Sequence, residues 1–242
     1  MSTNKAVVAL NGELKGNKEE YKKLIGGKDI FFIAADGGAL LLESIGFSPD
    51  VIIGDFDSLT ELQRQNYEKM GVKIIKYPVK KDETDGELAL QYCQERGFNN
   101  IIIIGFSGGR LDQQLANIFL LEYAFRNGIS AFIKEPGLEM GIIGKEKVFF
   151  QKTGAGLSLI PLDEEVSGVT ITGCKYLLES GILLRYKTRG ISNIIEQEKA
   201  VITVRKGLLL YVLNKNMSSF SVIKQNLLWD KYSDSGDSSL NQ

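Results

Sequence analysis

Six apolar runs alternate with amphipathic segments over the first half of the chain. The runs at 6–10, 30–35, 51–54, 72–77, 101–105 and 129–134 are continuously apolar, as strands buried on both faces are. Between them, helical spacing predicts helices at 18–25, 39–45, 62–70, 85–96 and 113–127. Thr84 and Glu87 have capping-box spacing at the start of the fourth helix, and Gly71, Gly97 and Gly128 stand where helices should end. Strand and helix in alternation predict an α/β fold with a parallel, doubly wound sheet.

Past about residue 144 the pattern changes. Short apolar runs at 148–152, 157–161, 169–172, 182–185, 200–205 and 208–213 are separated by Gly, Asn and charged turns, without a helical period. That texture predicts a smaller all-β domain, a sandwich. The expected domains are 1–138 and 145–222, with the boundary inside 135–147 around Pro136 and Gly137. The polar segment 230–242 is expected to be a disordered tail.

Composition narrows the chemistry. The chain has 242 residues, 43% hydrophobic and 24% charged, so it can build real cores. A net charge of −1 gives no general basic field for nucleic acid or an anionic membrane. Cys93 and Cys174 form no CxxC pair, which leaves neither a disulfide framework nor an all-cysteine zinc site. A reducing, cytoplasmic setting is expected; the N-terminus has no signal-peptide core, and no apolar run approaches the ~18 residues that span a bilayer. Histidine is absent. Its absence removes the serine–histidine–aspartate triad, cysteine–histidine pairs, histidine-bound zinc and phosphohistidine relays. Acid–base and metal work therefore falls on carboxylates, lysine or tyrosine, and oxygen ligands suit magnesium or calcium.

Four apolar runs end in small residues beside aspartate: FFIAADGG (31–38), DVIIGDFDS (50–58), KYPVKKDETDGE (76–87) and IIIIGFSGGRLDQ (101–113). In parallel strands these ends bring Asp55, Asp57, Asp82, Asp85 and Asp112 to one sheet edge, where ligands of open sheets bind. Carboxylates gathered there repel one another unless a cation sits among them. Magnesium carrying a phosphorylated substrate meets that need and points to phosphoryl transfer. Glycine turns and helix amino ends at the same edge suit phosphate oxygens, and Lys81 and Arg110 are the nearest cations. No GxxxxGK[ST] motif is present; around Gly141–Lys145 the nearest look-alike continues with Glu146.

Each piece also has a structural explanation. Asp82 and Asp85 lie at a helix start, where acids are stabilising; Asp112 could cap the fifth helix; Gly37 and Gly38 could form only a turn. GDFDS is harder to explain in that way, because two acids two apart follow a glycine directly after a strand.

With these residues in order, the chain resembles the thiamin pyrophosphokinase family. The resemblance rests on ADGGA (35–39), PDVIIGDFDS (49–58), the K-D-x-T-D run (81–85) and GGRLDQ followed by Asn117. It continues through TGCKYLL (172–178) and GISN (190–193). It implies a Rossmann-like ATP-binding domain joined to a thiamin-binding β-sandwich, in a homodimer whose active sites lie between subunits. The implied reaction transfers pyrophosphate from ATP to the hydroxyethyl group of thiamin and releases AMP, with magnesium bound by carboxylates. By position, Asp55, Asp57, Asp82 and Asp85 would hold metal and phosphates, with Asp112 joining them as catalytic residues. Asp36, Gly37, Lys81, Thr84, Arg110, Asp112, Gln113 and Asn117 would bind ATP, and Tyr176, Ser192 and Asn193 would bind thiamin. Tyr176 could attract the thiamin cation through its ring, or simply fill the sandwich core. Two other functions fit the same residues: a magnesium-dependent phosphotransferase for another small heterocyclic alcohol, or a nucleotide-binding sensor without turnover.

Overall fold

The computed structural model describes residues 4–27 and 29–215; the tail expected at 230–242 and the end of the 145–222 segment lie outside them. The chain divides into two compact units, Met1–Ile142 and Ile143–Gln242.

The first unit alternates strands β1 (Lys5–Ala9), β2 (Phe31–Ala35), β3 (Val51–Gly54), β4 (Lys73–Lys76), β5 (Asn100–Ile104), β6 (Ser130–Glu135) and β7 (Leu138–Ile143) with helices α1 (Lys18–Ile25), α2 (Gly38–Ser44), α3 (Glu61–Lys69), α4 (Asp85–Glu95) and α5 (Leu111–Arg126). The strand order is β7-β6-β5-β1-β2-β3-β4. All neighbours are parallel except β6 and β7. The chain winds outward from β1 in one direction through β4, then returns to β5 on the other side of β1, so β1 and β5 flank the topological switch point.

Burial explains the unbroken apolar runs. Val7, Ala9, Ala34, Ile52, Ile102 and Ile104 pack with Tyr21 and Ile25 of α1, Leu41 and Leu42 of α2 and Tyr67 of α3. Their strand neighbours Val8, Ile33, Val51, Ile53, Ile101 and Ile103, which point to the opposite face of the pleat, are fully buried as well. Burial of one such side chain contributes roughly 1.5–3 kcal/mol, so this sheet supports the edge built on its strand ends.

One segment departs from expectation. Pro136 and Gly137, read as the linker between domains, form the turn of the β6–β7 hairpin, with Gly137 at φ 82°. The units divide after Ile142, one residue before β7 ends. No helix among the described residues is long and apolar enough to cross a membrane.

The second unit is antiparallel: β8 (Glu146–Phe150), β9 (Gly156–Pro161), β10 (Glu165–Thr172), β11 (Leu178–Leu184), β12 (Asn193–Ile194), β13 (Lys199–Thr203) and β14 (Leu209–Asn214). One sheet has the order β11-β10-β13-β8. In the other, β9 pairs with β14 and β12. Val166, Ile171, Leu183 and Ile202 of the first and Leu157, Leu159, Leu209 and Leu213 of the second are buried. Phe149 and Tyr211 meet edge-to-face between the sheets at 5.2 Å, the arrangement aromatic quadrupoles favour. This is a β-sandwich core.

Candidate active site

The carboxyl ends of β1, β2, β3 and β5 and the amino ends of α4 and α5 enclose a polar cavity of about 320 Å³. Asn11, Asp36, Asp55, Asp57, Lys81 and Asp85 line it, as do Thr84, Gln113 and Asn117.

The GDFDS loop follows β3 directly. Phe56 adopts a left-handed conformation, φ 66°, and buries its ring. Asp55 Oδ1 accepts the Asp57 backbone N–H at 3.2 Å, which closes the turn between the two acids. Asp57 is positioned in its turn: Asn11 Nδ2 donates to Ser58 Oγ, and Ser58 Oγ donates to Asp57 Oδ1, both at 3.0 Å. Asp36 follows β2. Its N–H donates to Ile53 O, and its Oδ2 accepts the Ser58 N–H at 3.2 Å, tying β2 to the loop after β3.

Asp36 is the electrostatic centre. It is 4% exposed, and its Oδ1 is buried without a hydrogen-bond partner. Burial, and then the charges of Asp57 and Asp85, push its carboxyl above the ordinary range. One oxygen from each of Asp36, Asp55 and Asp57 lies within 4.8 Å of the others. A buried acceptor lacking a donor, among like charges at this spacing, fits a hard divalent cation.

Lys81 and Asp85 form an ion pair at 2.5 Å, largely shielded from solvent. Thr84 caps α4 by accepting the Glu87 N–H, which fixes where Asp85 enters the helix. Asp82 is exposed and does not line the cavity; it lies before the capped helix start, where nothing draws its carboxylate inward. Gly37 precedes α2 against Asn11, where a Cβ would come within 2.3 Å of Asn11 Oδ1.

Arg110 and Asp112 are exposed and fork onto each other, with Nη2–Oδ2 at 2.5 Å and Nε–Oδ1 at 3.1 Å. The pairing holds the Asp112 carboxyl below its usual range. Arg110, not Asp112, occupies the N-cap position of α5, and neither lines the cavity. Asn117, two turns along α5, donates to Phe106 O at 3.0 Å.

Sequence reasoning missed Asn11, Ser58, Glu83 and Phe106, which also line the cavity. Asn11 was open to discovery: it follows β1 as Asp36 follows β2, but a search for acids passes over a strand end that carries none.

In the β unit a separate cavity of about 200 Å³ is lined by Tyr176, Leu177, Leu183, Arg189, Ile191 and Asn193. Tyr176 is 59% exposed, so it does not fill the sandwich core. Asn193 is buried and grips Tyr176 at both backbone groups, accepting its N–H at 2.9 Å and donating to its C=O at 2.7 Å. Its Oδ1 also accepts the Ile194 N–H. Ser192, at φ 62°, donates its N–H to Ser158 Oγ and does not line this cavity.

Comparison with known proteins gives one consistent picture. Residues 21–133 match the family described as thiamin pyrophosphokinase, catalytic domain, and residues 145–209 match thiamin pyrophosphokinase, vitamin B1 binding domain. Thiamine pyrophosphokinase of Bacillus subtilis (strain 168) is 32% identical over 183 residues, covering 75% of this chain and 86% of that one. Thiamine pyrophosphokinase 1 of Oryza sativa subsp. japonica is 25% identical over 237 residues, covering 87% and 88%. The crystal structure of the Bacillus subtilis enzyme superposes with a TM-score of 0.77 at 26% identity, covering 88% of this chain and 99% of that one.

Proposed function

The chain belongs to the thiamin pyrophosphokinase family and transfers pyrophosphate from ATP to thiamin, and we propose that the acidic strand-end cavity performs this transfer around a bound magnesium ion. The observation that carries the magnesium reading is the buried, unpartnered Asp36 Oδ1 beside Asp55 and Asp57.

Asp36, Asp55 and Asp57 would hold the ion, with Asp85 beside them. When bound, magnesium neutralises phosphate oxygens and the charge that develops as the pyrophosphoryl group moves. The chain's own groups do the rest. Asn11 and Ser58 keep Asp57 oriented, and Ser58 through its N–H keeps Asp36 in place. Lys81, already paired with Asp85, offers a cation to the phosphates. Thr84, Gln113 and Asn117 line the same cavity, and Gly37 lets the chain turn tightly beside Asn11. Arg110 and Asp112 lie at the start of α5, where Arg110 would exchange its exposed partner for a phosphate oxygen. Asp82 supplies negative potential from outside the wall. Positioning and charge neutralisation account for most of phosphoryl transfer, so no covalent nucleophile is required.

We assign ATP to 1–138 and thiamin to 145–222. Tyr176 offers the thiamin cation an exposed ring face, and Asn193 holds the Tyr176 backbone in position. Ser192 shapes the adjoining turn. Pairing of two chains and a cytoplasmic location belong to the same proposal; light scattering and cell fractionation check them.

The functional experiment is incubation with ATP, magnesium and thiamin, with products identified by mass. Thiamin diphosphate and AMP in equal amounts are expected, and excess EDTA should stop their formation. Product from another alcohol but none from thiamin would refute the substrate, and undiminished rates in EDTA would refute the metal.

A further inference from the structure

The most deeply buried carboxylate of the first unit does not line the acidic cavity. Glu135, the last residue of β6, is 2% exposed. It accepts two hydrogen bonds, from the Gly105 N–H at 2.8 Å and from the hydroxyl of Tyr21, itself wholly buried in α1. Residues 105 and 106 begin the loop after β5, whose Phe106 and Gly108 line the cavity. The Tyr21 hydroxyl also accepts the Lys15 N–H at 3.3 Å, in the segment after β1 that supplies Asn11 and Gly12 to the same wall.

The two loops are joined to each other as well. Glu13 N–H donates to Ser107 O at 2.7 Å. Gly12 packs so closely that a Cβ there would stand 2.2 Å from Gly105 O. These are the loops after β1 and β5, the strands flanking the switch point where the parallel sheet opens to a ligand.

A hydrophobic side chain at 135 would fill the space and satisfy none of these donors. An acid stands here despite the cost of burying it, and burial pushes its carboxyl above the ordinary range. Structural support alone needs no charged acceptor aimed at the first amide of a ligand-lining loop.

We propose that Glu135 is a positioning residue for the nucleotide: through the Gly105 amide, with Tyr21 as its second anchor, it fixes both loops that wall the cavity at the switch point. The proposal rests on reading that cavity as the ATP site. A wall that drifts loses its fit to the nucleotide while leaving the β-unit pocket unaltered.

The test is a split of Michaelis constants in the full chain, for Glu135→Ala, Glu135→Gln and Tyr21→Phe. Loss of the acceptor in Glu135→Ala should raise the KM for ATP about tenfold with the KM for thiamin within about twofold. Glu135→Gln keeps one oxygen for the Gly105 amide and an amide for the Tyr21 oxygen, so it should recover to within about threefold of the unsubstituted chain. Tyr21→Phe removes one of the two donors and should raise the ATP constant about threefold. A purely structural role lowers the active fraction, and with it kcat, and leaves both constants alone; that result in the folded variants would overturn the proposal. Should Glu135→Ala fail to fold, an unchanged ATP constant in Tyr21→Phe would overturn it by itself. Calorimetry with α,β-methylene-ATP, whose methylene replaces the bridging oxygen that pyrophosphate transfer cleaves, is run in parallel. Absence of turnover in the unsubstituted chain would refute the functional reading, and the proposal would then stand or fall on the analogue's affinity across the variants.

Discussion

The two units present cavities of opposite character. In the α/β unit, four strand ends gather acids, a lysine and amide side chains around a polar space, and one buried carboxylate oxygen has no donor. In the β unit, a smaller space is walled by Tyr176, Leu177 and Ile191, with Asn193 holding the tyrosine's backbone. The contrast follows from the strands. Parallel strands all end at one edge and release their chain into helix starts, so that edge collects charged groups and suits phosphates. Antiparallel strands end at both edges, and their turns and exposed rings suit a flat organic ring. The proposed division gives charge neutralisation to one unit and ring recognition to the other.

The strongest way to break this division is to remove an acid. Asp57→Asn should lower turnover by about 10²–10³-fold while the thermal midpoint moves less than about 2 °C, because Asp57 is exposed and packs no core. Near-normal rates in that variant would dissolve the contrast.

Tyr176→Ala sharpens it from the other side. Loss of the exposed ring should raise the KM for thiamin about tenfold and leave that for ATP within about twofold, read from initial rates with each substrate varied. Parallel changes in both constants would show that the two cavities do not divide the work.

Asp82→Asn separates cavity wall from surroundings within the acidic edge. A solvated carboxylate outside the lining should cost less than about threefold in turnover. A collapse as deep as that of Asp57→Asn would return Asp82 to the groups that hold the ion.

The smallest effect concerns the buried anchor. Burial raises the Glu135 carboxyl above its ordinary value of 4.5. The native state therefore holds that proton more tightly than the unfolded chain. The resulting stability is fully present below the ordinary value and is lost as pH rises through the native one. Glu135→Gln does not titrate, so the stability of the parent chain relative to Glu135→Gln should decline as pH rises from 4.5. Urea unfolding at a series of pH values measures it, and a constant difference would contradict the raised carboxyl.

What was legible in the sequence follows physical rules of short range. Runs such as IIII at 101–104 announced strands because both faces are buried, and GDFDS announced a site because a local turn accounts for only one of two acids after a strand. Thr84 was legible as a cap because the bond it makes spans three residues. Contacts made through the fold were not. Glu135 meets Tyr21 across 114 positions, and neither is unusual in its own segment. β7 was hidden because Pro136 and Gly137 serve a hairpin turn as readily as a linker. The same limit explains Asp82, which shares a motif with Asp85 yet stays in solvent.

The central claim, that Asp36, Asp55 and Asp57 share one divalent ion carrying the triphosphate, is tested most directly by Mn²⁺ binding. Electron paramagnetic resonance of the free ion would be followed as the chain is titrated with Mn²⁺ and α,β-methylene-ATP. Saturable uptake of the ion by the unsubstituted chain, lost or greatly weakened in Asp57→Asn, is the predicted result. Equal uptake by both chains, or none by either, would contradict it.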